Sequence, residues 1–484
     1  MNRDQCQNQW GRFVVAMVMG LLFFAGATSG FGALKPNIII ILIDDLGYGD
    51  IGPYGATKQK TPHLDRMAAE GMKLTTFCTT APVCSPSRAS IQTGSYYKRV
   101  NFDKVILPDS NIGLNPKETT LAELVKPMGY STRYIGKWHL GDQKVFLPTM
   151  QGYDSYYGHP YSPDMPTIVR APRPPNRVNV GRGDNQVLPI VEDTWLAEQM
   201  GYINPLTERY TEMALDYITE QAKADQRFFL FLSHMSVHEP VSPGDDWKGT
   251  SDNGKYGDAV QQLDWSTGEI LQRLRDLGID RDTLVFYTSD NGPAPSGAGT
   301  AYPLRGTKHT TWEGGVRVNA LFWWPGTIPA GVENDALTTT MDLFPTIAHL
   351  TGGTLPDVKL DGYNIWPIIM GESRASPYDV FYYYRRSDLV AVRSGKWKFH
   401  ILTPDKKRNV LNNLEVDPAE TTDVTTEHPE VVMRLQALAQ LAREDMGDGN
   451  DGPGVRPIGT MEGAMPFIMP HGLVRPDARP PMGE

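Results

Sequence analysis

Cysteine is scarce: Cys6, Cys78 and Cys84 are the only three in 484 residues. So few thiols exclude a disulfide-built scaffold, and no His/Cys cluster argues for zinc. Positive charge is also short, with 46 Lys and Arg against 56 Asp and Glu and a formal net charge of -10. That argues against nucleic acid or an anionic membrane as partner, since both call for a basic surface. An acidic chain that binds an anion needs a local cluster of cations instead. Long hydrophobic runs are missing as well. Phe13–Phe24 is apolar but short for a membrane span. Arg3 and Arg12 precede it and Ala25-Gly26-Ala27 follows it. Residues 1–27 therefore read as the signal peptide of an exported protein, periplasmic or secreted, although Asp4 is atypical of such a segment. The alternative is an uncleaved N-terminal anchor. No lipid-accepting Cys follows the run, Cys6 would leave with it, and no membrane span is expected in the mature chain. No internal repeat is visible.

What is present is globular texture, 40% hydrophobic and 21% charged, in a chain long enough for one large core and a smaller second domain. Several apolar, β-rich runs end in a burst of polar residues. Ile38–Ile43 leads into Asp44-Asp45, and Thr132–Ile135 into Gly136-Lys137-Trp138-His139. Phe228–Leu232 leads into Ser233-His234 and then His238, and Leu284–Tyr287 into Ser289-Asp290-Asn291-Gly292. Runs without alternation predict strands buried on both faces, as in a parallel sheet. Helical spacing falls between them. One helix starts at Thr61-Pro62 with Leu64, Met67, Ala68 and Met72 on a face; another carries Tyr256, Val260, Leu263, Ile270, Leu271 and Leu274. The pattern predicts an α/β fold with a mostly parallel sheet. Ligands bind beyond the carboxyl ends of such strands, so the polar bursts are expected to share one site.

The texture changes after about residue 375. Val380–Tyr384, Leu389–Val392 and Lys396–Ile401 predict a small antiparallel sheet, and Val431–Met446 a closing helix. The expected organisation is a catalytic domain over 34–375, a C-terminal α+β subdomain over 376–446 and an irregular tail over 447–484. Residues 163–190, rich in Pro, Arg and Gly, read as a long loop of the kind that shapes substrate choice.

The most specific stretch is Cys84-Ser85-Pro86-Ser87-Arg88, followed by Ala89-Ser90-Ile91-Gln92-Thr93-Gly94. Pro86 suits the first turn of a helix, which puts Cys84 at an anion-favouring N-terminus with Arg88 one turn on. Taken from the residues alone, Cys84 is a reactive thiolate in a positive environment, a buried inert Cys before a helix, or the partner of Cys78 in a disulfide. Asp44, Asp45, Asp290 and Asn291 are oxygen donors at strand ends, suited to a hard cation, Ca2+ or Mg2+; they also occur as plain turn residues. Arg88, Lys137, His139, His238 and Lys308 form a set of cations and proton carriers. Alternation puts Lys137 and His139 on one side of an extended segment. His234 is the neighbouring competitor of His238 and reads as structural.

These stretches resemble the sulfatase family, from Pro36 to about Thr422. The matching segments are Asn37–Asp45 with Gly47-Tyr48-Gly49-Asp50, Cys84–Gly94, Gly136–Gly141, Ser289–Gly292, Leu304–Lys308 with Trp312–Gly315, and Leu411–Asp423 near the C-terminus. Gln92 departs from the usual Leu. The resemblance implies an alkaline-phosphatase-like fold: a large mixed, mostly parallel sheet flanked by helices, with a smaller C-terminal antiparallel sheet. It implies oxidation of Cys84 to formylglycine by a maturation enzyme. It assigns Asp44, Asp45, Asp290, Asn291 and the modified Cys84 to one divalent ion, Ca2+ as the usual occupant. Lys308 and His238 would face the sulfate ester. Phe146–Pro148, Gln151–Tyr153 and Pro160–Ser162 are similar to the arylsulfatase A branch and add Ser162 to the substrate pocket. The implied activity is hydrolysis of sulfate monoesters of a small molecule or glycan. One hydroxyl of the hydrated aldehyde attacks sulfur, with help from Asp290; His238 protonates the leaving oxygen; His139 then helps expel sulfate. Two alternatives stay open: a phosphoester or phosphonate monoester hydrolase of the same superfamily, and a non-catalytic glycan-binding relative.

Overall fold

The first strand, β1 (Asn37–Ile43), is buried along its whole length. Ile38, Ile40 and Leu42 enter one hydrophobic core while Ile39, Ile41 and Ile43 enter another. This is the consequence of a run of seven residues without a polar break: alternate side chains face opposite sides, and both sides must be covered. Truncating one such isoleucine to Ala would cost about 2–5 kcal/mol. The structure is a computed structural model that describes residues 34–165, 188–200, 203–468 and 473–480. The expected signal peptide, Cys6, most of the 163–190 loop and parts of the tail lie outside the described residues.

Helix α1 (Pro62–Glu70) follows, with Leu64 and Met67 buried. Met72, expected on its apolar face, instead begins β2 (Met72–Leu74), because the helix stops at Gly71. Helix α2 spans Cys84–Thr93, and every residue in it is buried. Then come β3 (Ser131–Lys137), β4 (Ser155–His159), β5 (Leu188–Glu192), β6 (Trp195–Met200), helix α3 (Leu206–Lys223) and β7 (Phe228–Ser233). Helix α4 (Gly254–Asp276) buries all six residues expected on its apolar face. Strands β8 (Thr283–Ser289), β9 (Ala320–Trp323) and β10 (Val332–Asn334) complete a ten-stranded sheet, ordered β10-β2-β9-β8-β1-β7-β3-β4-β5-β6. Its centre, β8-β1-β7-β3-β4, is parallel throughout. The flanking pairs β8–β9, β9–β2, β4–β5 and β5–β6 are antiparallel. Five neighbouring strands thus end on the same side, and the polar bursts follow those ends.

A second sheet of four antiparallel strands holds β11 (Phe381–Arg385), β12 (Asp388–Ser394), β13 (Trp397–His400) and β14 (Val410–Asn413). The last was not expected as a strand: it is short and ends in two Asn, which sequence patterning assigns to turns. Helix α5 (Pro429–Asp445) packs on this sheet. The tail is mainly irregular but is tied to the body. Gly459–Thr460 pairs with Ile112–Gly113, and Arg456 forms an ion pair with Glu118 at 2.8 Å.

Candidate active site

Each parallel strand of the centre delivers a candidate residue at its carboxyl end. Asp44 and Asp45 follow β1, Asp290 and Asn291 follow β8, Lys137 ends β3, Ser162 follows β4, and His238 follows β7. The side chains meet. Lys137 Nζ donates to Asp44 Oδ2 at 2.5 Å and to Ser162 Oγ at 3.2 Å. Ser162 Oγ lies 3.3 Å from His238 Nε2, which is itself 3.7 Å from Asp45 Oδ2. Lys308 Nζ donates to Asp45 at 2.8 Å, and Asn291 Nδ2 donates to Asp45 Oδ1 at 2.7 Å. Arg88, one turn into α2, donates through Nε to Asp290 Oδ2 at 3.0 Å. Through Nη1 it also reaches Lys137 O at 2.8 Å and Ser233 Oγ at 2.7 Å, which locks the ends of β3 and β7 together.

The approach of those two strands depends on Gly136, whose φ is +103°; a Cβ there would sit 1.9 Å from Ser233 O. Beyond Lys137 the expected alternation fails. His139 adopts a left-handed φ of 60°, so it and Lys137 are not successive members of one extended face. His139 still joins the cluster, because its ring feels the charges of Lys137, Arg88 and Asp44. Its Nε2 lies 3.0 Å from Ile106 O; facing a carbonyl, this nitrogen carries the proton. Nδ1 is left as a buried acceptor without a hydrogen-bond partner. Burial first, and then Lys137 and Arg88, hold His139 well below the usual imidazole range, so it is neutral.

Cys84 and Cys78 are both free and buried, so the disulfide alternative is not formed. The expectation of a reactive thiolate is also corrected. Burial pushes the Cys84 thiol up, against the pull of Lys137 and Lys308, while Asp44 and Asp290 add to the rise. The residue sits in a cationic corner but is a poor thiolate. Burial also opposes ionisation of Asp44, but Lys137, His238, Arg88 and Lys308 outweigh it and hold that carboxyl well below its usual range. Asp290 goes the other way: burial and the Asp44 charge push it up to about 7 despite Arg88 and Lys137.

Two buried oxygens in this corner, Asp44 Oδ1 and Asn291 Oδ1, accept no hydrogen bond. Buried acceptors are rarely left bare, and both belong to the oxygen set that the sequence singled out for a hard cation. Asp44, Asp45 and His238 also offer ligand atoms within 4.8 Å of one another. The residues present therefore fit a metal ion. His234, by contrast, lies 3.2 Å from Ser266 Oγ, and burial lowers it to about 3, as suits a neutral structural histidine.

Sequence reasoning gave no role to the residues that position Lys308. Lys308 N donates to Pro293 O at 2.9 Å and His309 N to Pro82 O at 2.8 Å, joining the Lys308 turn to the segments after β8 and before α2. Behind it, Glu313 is wholly buried with Lys398 at 3.0 Å and Arg393 at 3.3 Å. Glu420 accepts from Glu313 N at 2.6 Å and meets Lys398 and His400 at 2.9 and 2.8 Å. Both glutamates lie in stretches noted for their resemblance alone. Asp50, in the Gly47–Asp50 stretch, likewise holds the loop after Asp45 by accepting from Gly47 N and Tyr256 OH at 2.8 and 2.5 Å.

The arrangement can bind a divalent cation, hold a tetrahedral anion between two lysines and move protons through two histidines. Comparison with known proteins agrees. The sulfatase family model matches residues 36–353, and a model described as N-sulphoglucosamine sulphohydrolase, C-terminal, matches 307–445. N-acetylgalactosamine-6-sulfatase of Canis lupus familiaris is 38% identical over 88% of this chain and 83% of its own. Arylsulfatase A of Homo sapiens is 36% identical over 83% of this chain and 82% of its own. Among solved structures, Ps i-CgsB in complex with k-i-k-neocarrahexaose superposes with a TM-score of 0.73 at 26% identity, over 84% of this chain and 93% of that one. The chain belongs to the sulfatase family and is a sulfuric ester hydrolase.

Proposed function

We propose that this sulfatase is exported and hydrolyses sulfate monoesters of a glycan, using formylglycine made from Cys84 and one Ca2+ ion, with Mg2+ the alternative occupant. The observation that carries the reading is the pair of buried acceptors without a hydrogen bond, Asn291 Oδ1 and Asp44 Oδ1 (the latter with Arg88 Nη2 no nearer than 3.7 Å), in the corner that holds Cys84 and two lysines. Both ring nitrogens of His238 are engaged, by Glu239 O at 2.6 Å and Ser162 Oγ at 3.3 Å. The ion is therefore assigned to the oxygen donors Asp44, Asp45, Asp290 and Asn291, together with the oxidised residue 84, a set suited to a hard cation.

When bound, the ion adds positive charge against the sulfate and orients residue 84, while the hydrated aldehyde supplies the nucleophilic hydroxyl. The remaining work falls to the chain's own side chains. Lys137 and Lys308 offset the charge on the sulfuryl oxygens. Arg88 fixes Asp290 and the end of β3, and Asp290 accepts the proton of the attacking hydroxyl. His238, oriented by its Nδ1–H on Glu239 O and flanked by Ser162, protonates the leaving oxygen through Nε2. His139, neutral and with Nδ1 bare, accepts a proton from residue 84 when sulfate is expelled.

The names of N-acetylgalactosamine-6-sulfatase and of the hexasaccharide complex support a glycan substrate, while that of arylsulfatase A makes an aryl sulfate the second reading. Export rests on residues 1–27; among the described residues no helix is long and apolar enough to cross a membrane. A formylglycine-generating enzyme is the required maturation partner. The test is turnover of 4-nitrophenyl sulfate by matured protein, before and after chelation, and by Cys84→Ala. Turnover that chelation removes and Ca2+ restores, and that Cys84→Ala lacks, supports the reading; wild-type turnover by Cys84→Ala overturns it.

A further inference from the structure

The cavity directly outside the catalytic groups is small. It measures about 220 Å3 and is lined by Asp45, His238, Glu239, Ser296, Lys308 and His309 among others. That is below the roughly 300–1,000 Å3 of a usual ligand pocket. His309 is also a wall of a second, larger cleft of about 640 Å3. One side of that cleft is the entry to the Cys84 helix, Val83 and Pro86; another is the loop Asp103–Leu107; the third is the turn between β11 and β12. A single exposed side chain, His309, is thus common to the sulfate corner and a cavity nearly three times larger.

The cleft has a charge pattern. Lys104, Arg385 and Arg386 line it and are exposed, and among the described residues no carboxylate lies within ion-pair distance of them. Of the two carboxylates in its wall, Asp103 is occupied by Ser387 Oγ at 2.7 Å. The other is Asp388, the first residue of β12. An exposed leucine, Leu107, adds an apolar patch at 60% exposure. The loop that presents Lys104 and Leu107 is fixed in place. Ile106 between them is buried, its N–H donates to Ser85 Oγ at 3.2 Å and its carbonyl meets His139 Nε2 at 3.0 Å. The Lys104 side of the cleft is therefore anchored to the helix and the histidine of the catalytic corner.

We propose that this cleft binds the remainder of the substrate. The occupant is an anionic oligosaccharide whose further sulfate or carboxylate groups pair with Lys104, Arg385 and Arg386 and whose sugar ring lies on Leu107, while its scissile ester enters past His309. The proposal rests on the glycan sulfatase reading and adds to it a polyanionic substrate longer than one sugar. Partly exposed cations of this kind govern affinity and its salt dependence more than chemistry.

The experiment uses fluorescein-labelled hexasaccharides of chondroitin 6-sulfate, κ-carrageenan and heparin, with N-acetylgalactosamine 6-sulfate as the monosaccharide. Binding is followed by fluorescence polarisation and competition on the full-length Cys84→Ala protein, which does not consume the ligands. At least one hexasaccharide is expected to bind more tightly than the monosaccharide, with an advantage that shrinks as salt rises. Adding Lys104→Glu and Arg385→Glu is expected to weaken that hexasaccharide about tenfold and the monosaccharide far less, as for charge contacts at an accessible rim. An unchanged melting temperature shows that these exposed substitutions leave the fold intact. The proposal is overturned if no hexasaccharide outbinds the monosaccharide, or if charge reversal leaves its affinity unchanged. Failure of the glycan sulfatase reading appears separately, as absent turnover of 4-nitrophenyl sulfate by matured wild-type protein.

Discussion

His139 holds its proton on Nε2 against Ile106 O and leaves Nδ1 bare in a buried corner, which is the state needed of a base. His139→Ala is expected to release about one equivalent of alcohol in a burst and then turn over roughly 10²–10⁴-fold more slowly, the range for loss of a positioned acid or base. Rapid-quench kinetics with 4-nitrophenyl sulfate would show it; a uniform slowing without a burst would count against the assignment. His238→Gln should behave differently. Its effect is expected to be small with 4-nitrophenyl sulfate, whose leaving group needs little help, and about 10²-fold or more with an alkyl sulfate. Equal losses on both substrates would remove His238 as the acid. At this scale the sequence was informative wherever chemistry is local: the Cys84–Arg88 turn and the strand-end carboxylates were legible. The relation between Lys137 and His139 was not, because a left-handed residue breaks the periodicity on which alternation depends.

The Lys308 turn is held by elements far away in sequence. Glu313, shortly after it in sequence, pairs with Lys398 of β13 and Arg393 of β12, Lys398 Nζ also donates to Thr311 O at 2.8 Å, and Glu420, beyond β14, caps the backbone at Glu313. Glu313→Gln leaves Lys398 and Arg393 buried with much of their countercharge gone, at a cost of about 3–5 kcal/mol. Urea unfolding measures this loss; a change below about 1 kcal/mol, the worth of an ordinary surface pair, would deny the network its structural weight. These contacts were invisible to pattern reasoning, which compares neighbours along the chain. The partners here come from stretches whose only mark was a family resemblance. Helix α4 was legible for the opposite reason: its apolar face repeats at helical spacing all the way from Tyr256 to Leu274. Met72 was misplaced because an apolar residue just past a helix end continues the period whether or not the helix does.

The five central parallel strands of the large sheet end on one side, and that topology gathers residues from Asp44 to Lys308 into one corner. The buried charge that supports it also makes stability depend on pH. Burial raises the Glu313 carboxyl, but Lys398, Arg393 and Arg317 outweigh this and lower it from 4.5 to about 2. A carboxyl depressed in the folded state stabilises fully above its unfolded value. That contribution is lost as pH falls from about 4.5 towards 2. Wild-type protein is therefore expected to lose stability across this window, and Glu313→Gln to lose less over the same window; parallel acid-unfolding curves would contradict this. The proposed metal would add at the same scale: Ca2+ returned after chelation is expected to raise the melting temperature with the logarithm of its excess over the dissociation constant, and an unchanged melting temperature would count against the site.

The proposed chemistry depends above all on an aldehyde at position 84. The most direct measurement is the mass of the tryptic peptide spanning residues 74–88, taken from active protein made with a formylglycine-generating enzyme. The expected peptide is lighter than the unmodified one by exchange of sulfur for oxygen and loss of two hydrogens, with fragmentation locating the change at residue 84. An unmodified Cys84 in protein that turns over sulfate esters would contradict it.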